Sequence, residues 1–191
     1  MTRDPAQYVW WLTSRAAGVT AFALASGAVI AGLMMAGKLS AKPGQGRMLK
    51  AVHEHMALGA LIAVAIHGVA LLGDRWLNPG LFGLLVPFEM DYRPLATGAG
   101  VIAGYGMALL GLTFYARRRV GPRLWRKAHR LTIVFWALAV VHTVAAGSDA
   151  STPWMRLVLG ASVAPVVVLF LARIAGGRRH PVARPAGAAT L

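Results

Sequence analysis

The sequence predicts an all-α integral membrane protein, a bundle of about five transmembrane helices. Three observations predict it. Hydrophobic residues make up 57% of the 191-residue chain and charged ones only 14%, against about a quarter charged in a soluble domain. Five apolar runs, at roughly 10–36, 50–73, 95–116, 125–147 and 153–175, are long enough to cross a bilayer, which needs ~20 helical residues. None of the runs alternates with period two, and backbone polar groups in lipid must be satisfied within the spanning element, so helices are expected.

The first run follows "MTRDPAQYVWW" and is broken early by Arg15. A signal peptide would begin with a net positive segment, so this run reads as a retained helix. A short basic connection leads to the second run, which carries His53, His55 and His67. The segment 74–94, "DRWLNPGLFGLLVPFEMDYRP", is too short and too interrupted by Pro87 to span. It reads as an interfacial segment packed on the helix ends and anchored by Trp76, Phe88 and Tyr92, with a lid over a site as the functional alternative. The third run holds Gly98, Gly100, Gly104, Gly106 and Gly111. Gly100 and Gly104 have the G-x-x-x-G spacing of closely packed helices, and close approach to a flat macrocycle would use the same lack of side chains. The fourth run, "LWRKAHRLTIVFWALAVVHTVAAG", carries His129 and His142, and the fifth leads into a Gly-, Pro-, Ala- and Arg-rich tail. One membrane domain over 1–175 and a disordered basic tail over 176–191 are the expected organisation.

A net charge of +14 raises the question of nucleic acid. Its distribution argues otherwise. Lys38, Lys42, Arg47, Lys50, the seven basic residues from Arg117 to Arg130, and Arg173, Arg178, Arg179 and Arg184 all fall on one side of the bundle; Asp4, Asp74, Glu89, Asp91 and Asp149 fall on the other. The positive-inside rule then puts the N-terminus outside and the C-terminus in the cytoplasm. The basic excess is membrane topology, and no nucleic-acid partner is expected. With no cysteine in the chain, disulfides, iron–sulfur clusters and covalent haem attachment are excluded.

The histidines carry the functional signal, because ionisable residues within a bilayer are costly and functional by default. His53 and His67 are 14 residues apart, hence ~21 Å along a helix and offset by about 40° around it. His129 and His142 are 13 apart, ~19.5 Å along the axis but offset by about 140° on an ideal helix, which tilt or local distortion has to absorb. The second and fourth helices run in the same direction, so His53 meets His129 on the cytoplasmic side and His67 meets His142 on the outer side. Each pair offers two imidazoles to the iron of one haem. Zinc would need three or four converging ligands, and His53 and His55 point in different directions on a helix. His55 is the spare, and His180 lies in the tail. Structural hydrogen bonding between helices is the non-catalytic alternative.

These elements resemble the ferric reductase-like transmembrane domain family, which includes the membrane portion of NADPH oxidases, ferric reductases and the haem subunit of the bacterial periplasmic methionine sulfoxide reductase system. The resemblance spans about 9–175. It rests on "TSRAAGVTA" at 13–21, the His53/His67 pair, "RPLATGAGVIAGY" at 93–105, "WRKAHRL" at 125–131 and His142 followed by "AAGSD". It implies transmembrane electron transfer through two haem b groups in a bacterial plasma membrane, the inner haem held by His53 and His129, the outer by His67 and His142. Many members have six helices and carry their own flavin and nicotinamide domains; five helices and no such domain are read here. The implied donor is a separate cytoplasmic flavin reductase bringing FMN or FAD, and the acceptor a periplasmic protein or small molecule. A quinol-linked cytochrome b exchanging electrons with the quinone pool or with oxygen or superoxide is the alternative; a haem-free transporter is the non-redox one.

Arg15 lies in the outer part of the first helix, where an unpaired guanidinium is expensive. It either pairs with a haem propionate or polarises an acceptor, or it snorkels to the headgroups. The cluster from Arg117 to Arg130 sets topology; Arg130 and its neighbours are also placed to pair with inner propionates or to dock an acidic donor.

Overall fold

The computed structural model describes residues 6–37 and 44–177. The regular structure among the described residues is all helical, with no strand. Helix α1 runs Ala6–Ala36, α2 Gln45–Gly73, α3 Gly80–Leu85, α4 Pro94–Val120, α5 Pro122–His129, α6 Thr132–Ala146 and α7 Pro153–Gly177. Five spans are long and apolar enough to cross a membrane, α5 and α6 together forming the fourth. The chain is a multi-pass membrane protein.

Two differences from the sequence expectation have clear causes. First, α2 begins at Gln45 and α4 continues to Val120, beyond the apolar runs at 50 and 116. Helix geometry does not stop where lipid stops, and Arg, Lys and Gln are good helix formers. Second, the fourth run is not one helix. It breaks at Arg130–Leu131, between α5 and α6. The expected basic tail lies outside the described residues from 178 onward, and α7 reaches two residues past the expected boundary at 175.

Helix α1 is the centre of the bundle. Ser14, Ala17, Ala21, Phe22, Ala25, Ser26, Ala28 and Ala31 are all buried, and α1 packs on α2, α6 and α7. Lipid tails are as apolar as leucine, so helices associate through close packing, which small residues permit. The facing surface of α2 follows the same rule with Ala60, Ala63 and Ala70 buried. Large apolar residues such as Ile62, Ile66, Leu109, Val141 and Val168 face outward, as a lipid-facing surface requires.

The second half repeats the first. A helix pair α1–α2 is followed by a pair α4 and α5–α6, each antiparallel, and α4 packs on α6 as α1 packs on α2. Gly121, at φ 95°, makes the turn from α4 into α5, and Pro122 starts α5 at a position where its missing N–H costs nothing. The segment 74–93 closes the other end. The Asp74 carboxylate accepts from the backbone N–H of Trp76 (2.9 Å) and Leu77 (3.3 Å), and α3 is tied to α4 by the Tyr105 hydroxyl donating to the Leu85 carbonyl at 2.5 Å. The Phe88 ring lies against Gly98, where a Cβ would fall 2.2 Å from the ring. The segment is thus packed on the helix ends, as expected from its composition.

Candidate functional site

Four of the histidines meet in two pairs, each between α2 and the fourth span. The ring centres of His53 and His129 are 6.0 Å apart, with ring planes at 83°. Those of His67 and His142 are 6.4 Å apart, at 75°. Among the described residues no three His, Cys, Asp or Glu side chains converge on a metal position; the histidines come in twos.

The break in the fourth span explains how a 13-residue gap matches a 14-residue one. Around it the backbone N–H groups of Arg130, Leu131, Ile133 and Val134 donate to the carbonyls of Lys127, Ala128, Arg130 and Leu131, each three residues back. The Thr132 hydroxyl takes the His129 carbonyl at 2.7 Å, a local bond that competes with the α-helical one. A 3₁₀ turn advances about 20° more per residue than an α turn. Four such steps reduce the ideal-helix offset of ~140° to ~60°, close to the ~40° of His53 and His67. The larger 3₁₀ rise also lengthens ~19.5 Å to ~21.5 Å, against ~21 Å for the other pair.

Three of the four imidazoles are held from behind. His67 Nδ1 donates to the Ser14 carbonyl at 2.7 Å, His53 Nδ1 to the Ala28 carbonyl at 2.7 Å, and His142 Nδ1 to the Ala96 carbonyl at 2.9 Å. With Nδ1 engaged, Nε2 is the remaining ring nitrogen, the arrangement by which outer partners fix the tautomer of a ligating histidine. His129 differs. Its Nδ1 is buried without a hydrogen bond, and its ring stacks on Trp125 at 4.8 Å and 20°. Trp125 in turn meets the Phe114 ring at 5.6 Å.

The remaining predicted residues fall as follows. Arg15 forms an ion pair with Asp149 in the connection between α6 and α7, and its guanidinium sits 4.0 Å over the Trp11 ring. It lies beside Ser14, whose carbonyl holds His67. Arg130 is exposed in the α5–α6 break, and Arg123, Arg126 and Lys127 are exposed on α5. His55 points away from both pairs and donates to its own helix at Ala51. At the end of the bundle bearing His67, a cavity of about 460 Å³ is lined by Tyr8, Trp11, Asp74, Arg75 and Trp76. The α4–α6 register is set there by Arg93, which donates to the Ala145 carbonyl, and by Tyr92, whose hydroxyl donates to the Ala146 carbonyl at 3.3 Å. Both bonds satisfy carbonyls at the C-terminus of α6 that have no helical partner.

Sequence reasoning missed the carbonyl anchors, the Trp125 platform and Asp149 as the partner of Arg15. A signal for the anchors was present: Gly18 and Gly32, which face His67 and His53, repeat the 14-residue spacing of the histidines they touch.

The bundle carries two histidine pairs spaced along its axis, and its family marks it as a membrane oxidoreductase component. The chain belongs to the family described as ferric reductase like transmembrane component, whose family model matches residues 17–140, more than half of its length. The match takes in His53, His67 and His129 and ends two residues before His142. No curated protein and no solved structure gives a significant match.

Proposed function

We propose that this chain carries electrons across the membrane through two b-type haems, His53 and His129 holding the inner one and His67 and His142 the outer one. The observation that carries the reading is the geometry of the pairs. Two metal–nitrogen bonds of ~2.0 Å plus the half-width of each ring require roughly 6 Å between ring centres, and the distances are 6.0 and 6.4 Å. Haem iron supplies one-electron transfer when bound. The anchored Nδ1 groups hold three of the imidazoles in place and keep Nε2 free, and the stack on Trp125 orients the fourth.

The basic side of the bundle faces the cytoplasm in this reading. There the exposed Arg123, Arg126, Lys127 and Arg130 offer a docking surface to an acidic flavin reductase carrying FMN or FAD, and Arg130 is placed for an inner propionate. At the outer end Arg15 binds a propionate or polarises the acceptor, with Asp149 as its counter-ion in the resting protein. The cavity beside Trp11 falls in the size range of small-molecule sites and supports a small acceptor there. The same cavity is the feature that supports the second reading, in which a quinol exchanges electrons at the outer end.

Pyridine haemochrome analysis of the purified protein is expected to give about two non-covalent haem b per chain, with a low-spin reduced-minus-oxidised spectrum. No haem, or a covalent one, overturns the proposal. Reduction by a flavin reductase with nicotinamide, compared with reduction by quinol, separates the two donors. A C-terminal reporter active in the cytoplasm is expected; one active outside reverses the direction of transfer.

A further inference from the structure

The four imidazoles meet their supporting helices at positions that repeat. His67 and His53 dock on the carbonyls of residues 14 and 28 of α1, fourteen apart. His142 docks on residue 96 of α4, and His129 faces the backbone of residue 110, again fourteen apart. Four residues beyond each docking carbonyl come positions 18, 32, 100 and 114, occupied by Gly, Gly, Gly and Phe. In an α-helix a side chain leans back toward the N-terminus over the turn before it, so a Cβ at the fourth residue covers the carbonyl one turn earlier. Glycine leaves that carbonyl open from the side.

The distances bear this out. A Cβ on Gly100 would lie 2.5 Å from His142 Nδ1, one on Gly18 3.1 Å from His67 Nδ1, and one on Gly32 3.4 Å from His53 Nδ1. The fourth position holds Phe114 rather than glycine, and there His129 Nδ1 makes no hydrogen bond; its ring stacks on Trp125, which in turn meets Phe114. The exception follows the rule. Gly104 and Gly111 on the same helix face Val64 at 3.7 Å and Leu61 at 3.5 Å, ordinary contacts with no histidine involved.

We propose that Gly18 and Gly100 are positioning residues, each clearing one backbone carbonyl so that a histidine of the facing helix can lock its Nδ1–H on it; at Gly32 a Cβ would make only ordinary contact with His53, so that lock does not require glycine. The inference rests on the histidine pairs being haem ligands only for its effect on haem; the lock itself is a property of the polypeptide. Its further content is an asymmetry. The outer pair is locked at both rings and the inner pair at one, so the outer site depends on glycine and the inner site depends mainly on Trp125.

The test is a series of single Gly→Ala variants of the full chain. Two readouts apply: nitrogen NMR of protein labelled at histidine, which reports the Nδ1–H tautomer with or without haem, and low-spin haem content. Gly100→Ala is expected to abolish the His142 Nδ1–H signature and to weaken outer haem binding by about tenfold or more, the size of effect usual for partners of metal-ligating histidines. Gly18→Ala is expected to do the same to His67 by a smaller factor. The two controls, Gly104→Ala and Gly111→Ala, are expected to resemble the parent, as is Gly32→Ala, where the added Cβ meets His53 at ordinary contact distance. If Gly100→Ala yields no folded protein, Gly18→Ala against Gly104→Ala decides. Retention of the histidine tautomers and of both haems in Gly18→Ala and Gly100→Ala, or equal losses in the two control variants, overturns the inference. A parent protein without haem overturns the electron-transfer reading alone, since the tautomer readout still decides the positioning role.

Discussion

Arg15 and Asp149 form an ion pair that ties α1 to the connection between α6 and α7, at the end of the bundle where His67 meets His142. The two side chains are 29% and 18% exposed, so neither is well solvated and each compensates the other.

Removing one partner leaves the other charge poorly hydrated. Arg15→Gln and Asp149→Asn are each expected to destabilise the protein by about 1–3 kcal/mol. The double variant should lose less than the sum, with a coupling of about 0.5–3 kcal/mol. Thermal unfolding in detergent checks this; strictly additive losses would show that the pair does not interact.

Between the two histidine pairs, the indole N–H of Trp136 donates to the Ser26 hydroxyl at 3.0 Å, and both residues are buried. Ser26→Ala strands a buried donor and is expected to cost about 1–3 kcal/mol. Trp136→Phe in the Ser26→Ala background removes the stranded group, so the second substitution should cost less there than in the parent. Equal costs in both backgrounds would mean that the bond contributes nothing to stability.

The order of the two sites along the bundle predicts different defects. In the proposed electron path, His142→Leu removes an outer ligand and should leave one low-spin haem that a cytoplasmic donor still reduces, while transfer to an external acceptor collapses. His129→Leu should block entry instead, leaving an outer haem reduced poorly from the donor side. Stopped-flow reduction in liposomes distinguishes them. Equal loss of donor-side reduction in both, with one haem kept in each, would show that the pairs are assigned to the wrong faces.

The 3₁₀ break predicts an unusual tolerance. One alanine inserted after Arg130 lengthens the His129–His142 gap to 14 residues, which on a regular α-helix restores an offset of about 40° and ~21 Å. The insertion is therefore expected to keep both of the proposed low-spin haems by relaxing the 3₁₀ turn, whereas deletion of Leu131 should lose at least one. Loss of haem on insertion equal to that on deletion would mean that the break has a role beyond spacing.

Much of this arrangement was legible in the sequence because hydropathy and histidine spacing are properties of single helices. The five spans and the partnership of His53 with His129 and of His67 with His142 follow from run length, direction and the 14- and 13-residue gaps. What was not legible depends on backbone atoms or on distant chain segments. The overwound turn at Arg130 hides in a sequence that reads as one continuous helix, basic at its start and apolar beyond, and its signature is only one hydroxyl, Thr132, on the His129 carbonyl. The carbonyls of Ser14, Ala28 and Ala96 have no residue-type signature, and the glycines that expose them read equally well as helix packing. Asp149 reached Arg15 across 134 residues, a distance no local pattern encodes.

The anchors of His53 and His67 both lie within the α1–α2 hairpin, and that of His142 lies within the hairpin that follows. Each hairpin therefore carries its own registration marks as it leaves the ribosome. The first can orient two imidazoles during insertion while the second is still being translated, and the second needs only to arrive with His142 already seated on α4. The two histidine pairs then form only where the hairpins dock side by side, so that the setting of His53, His67 and His142 within each half is separate from their pairing across the halves.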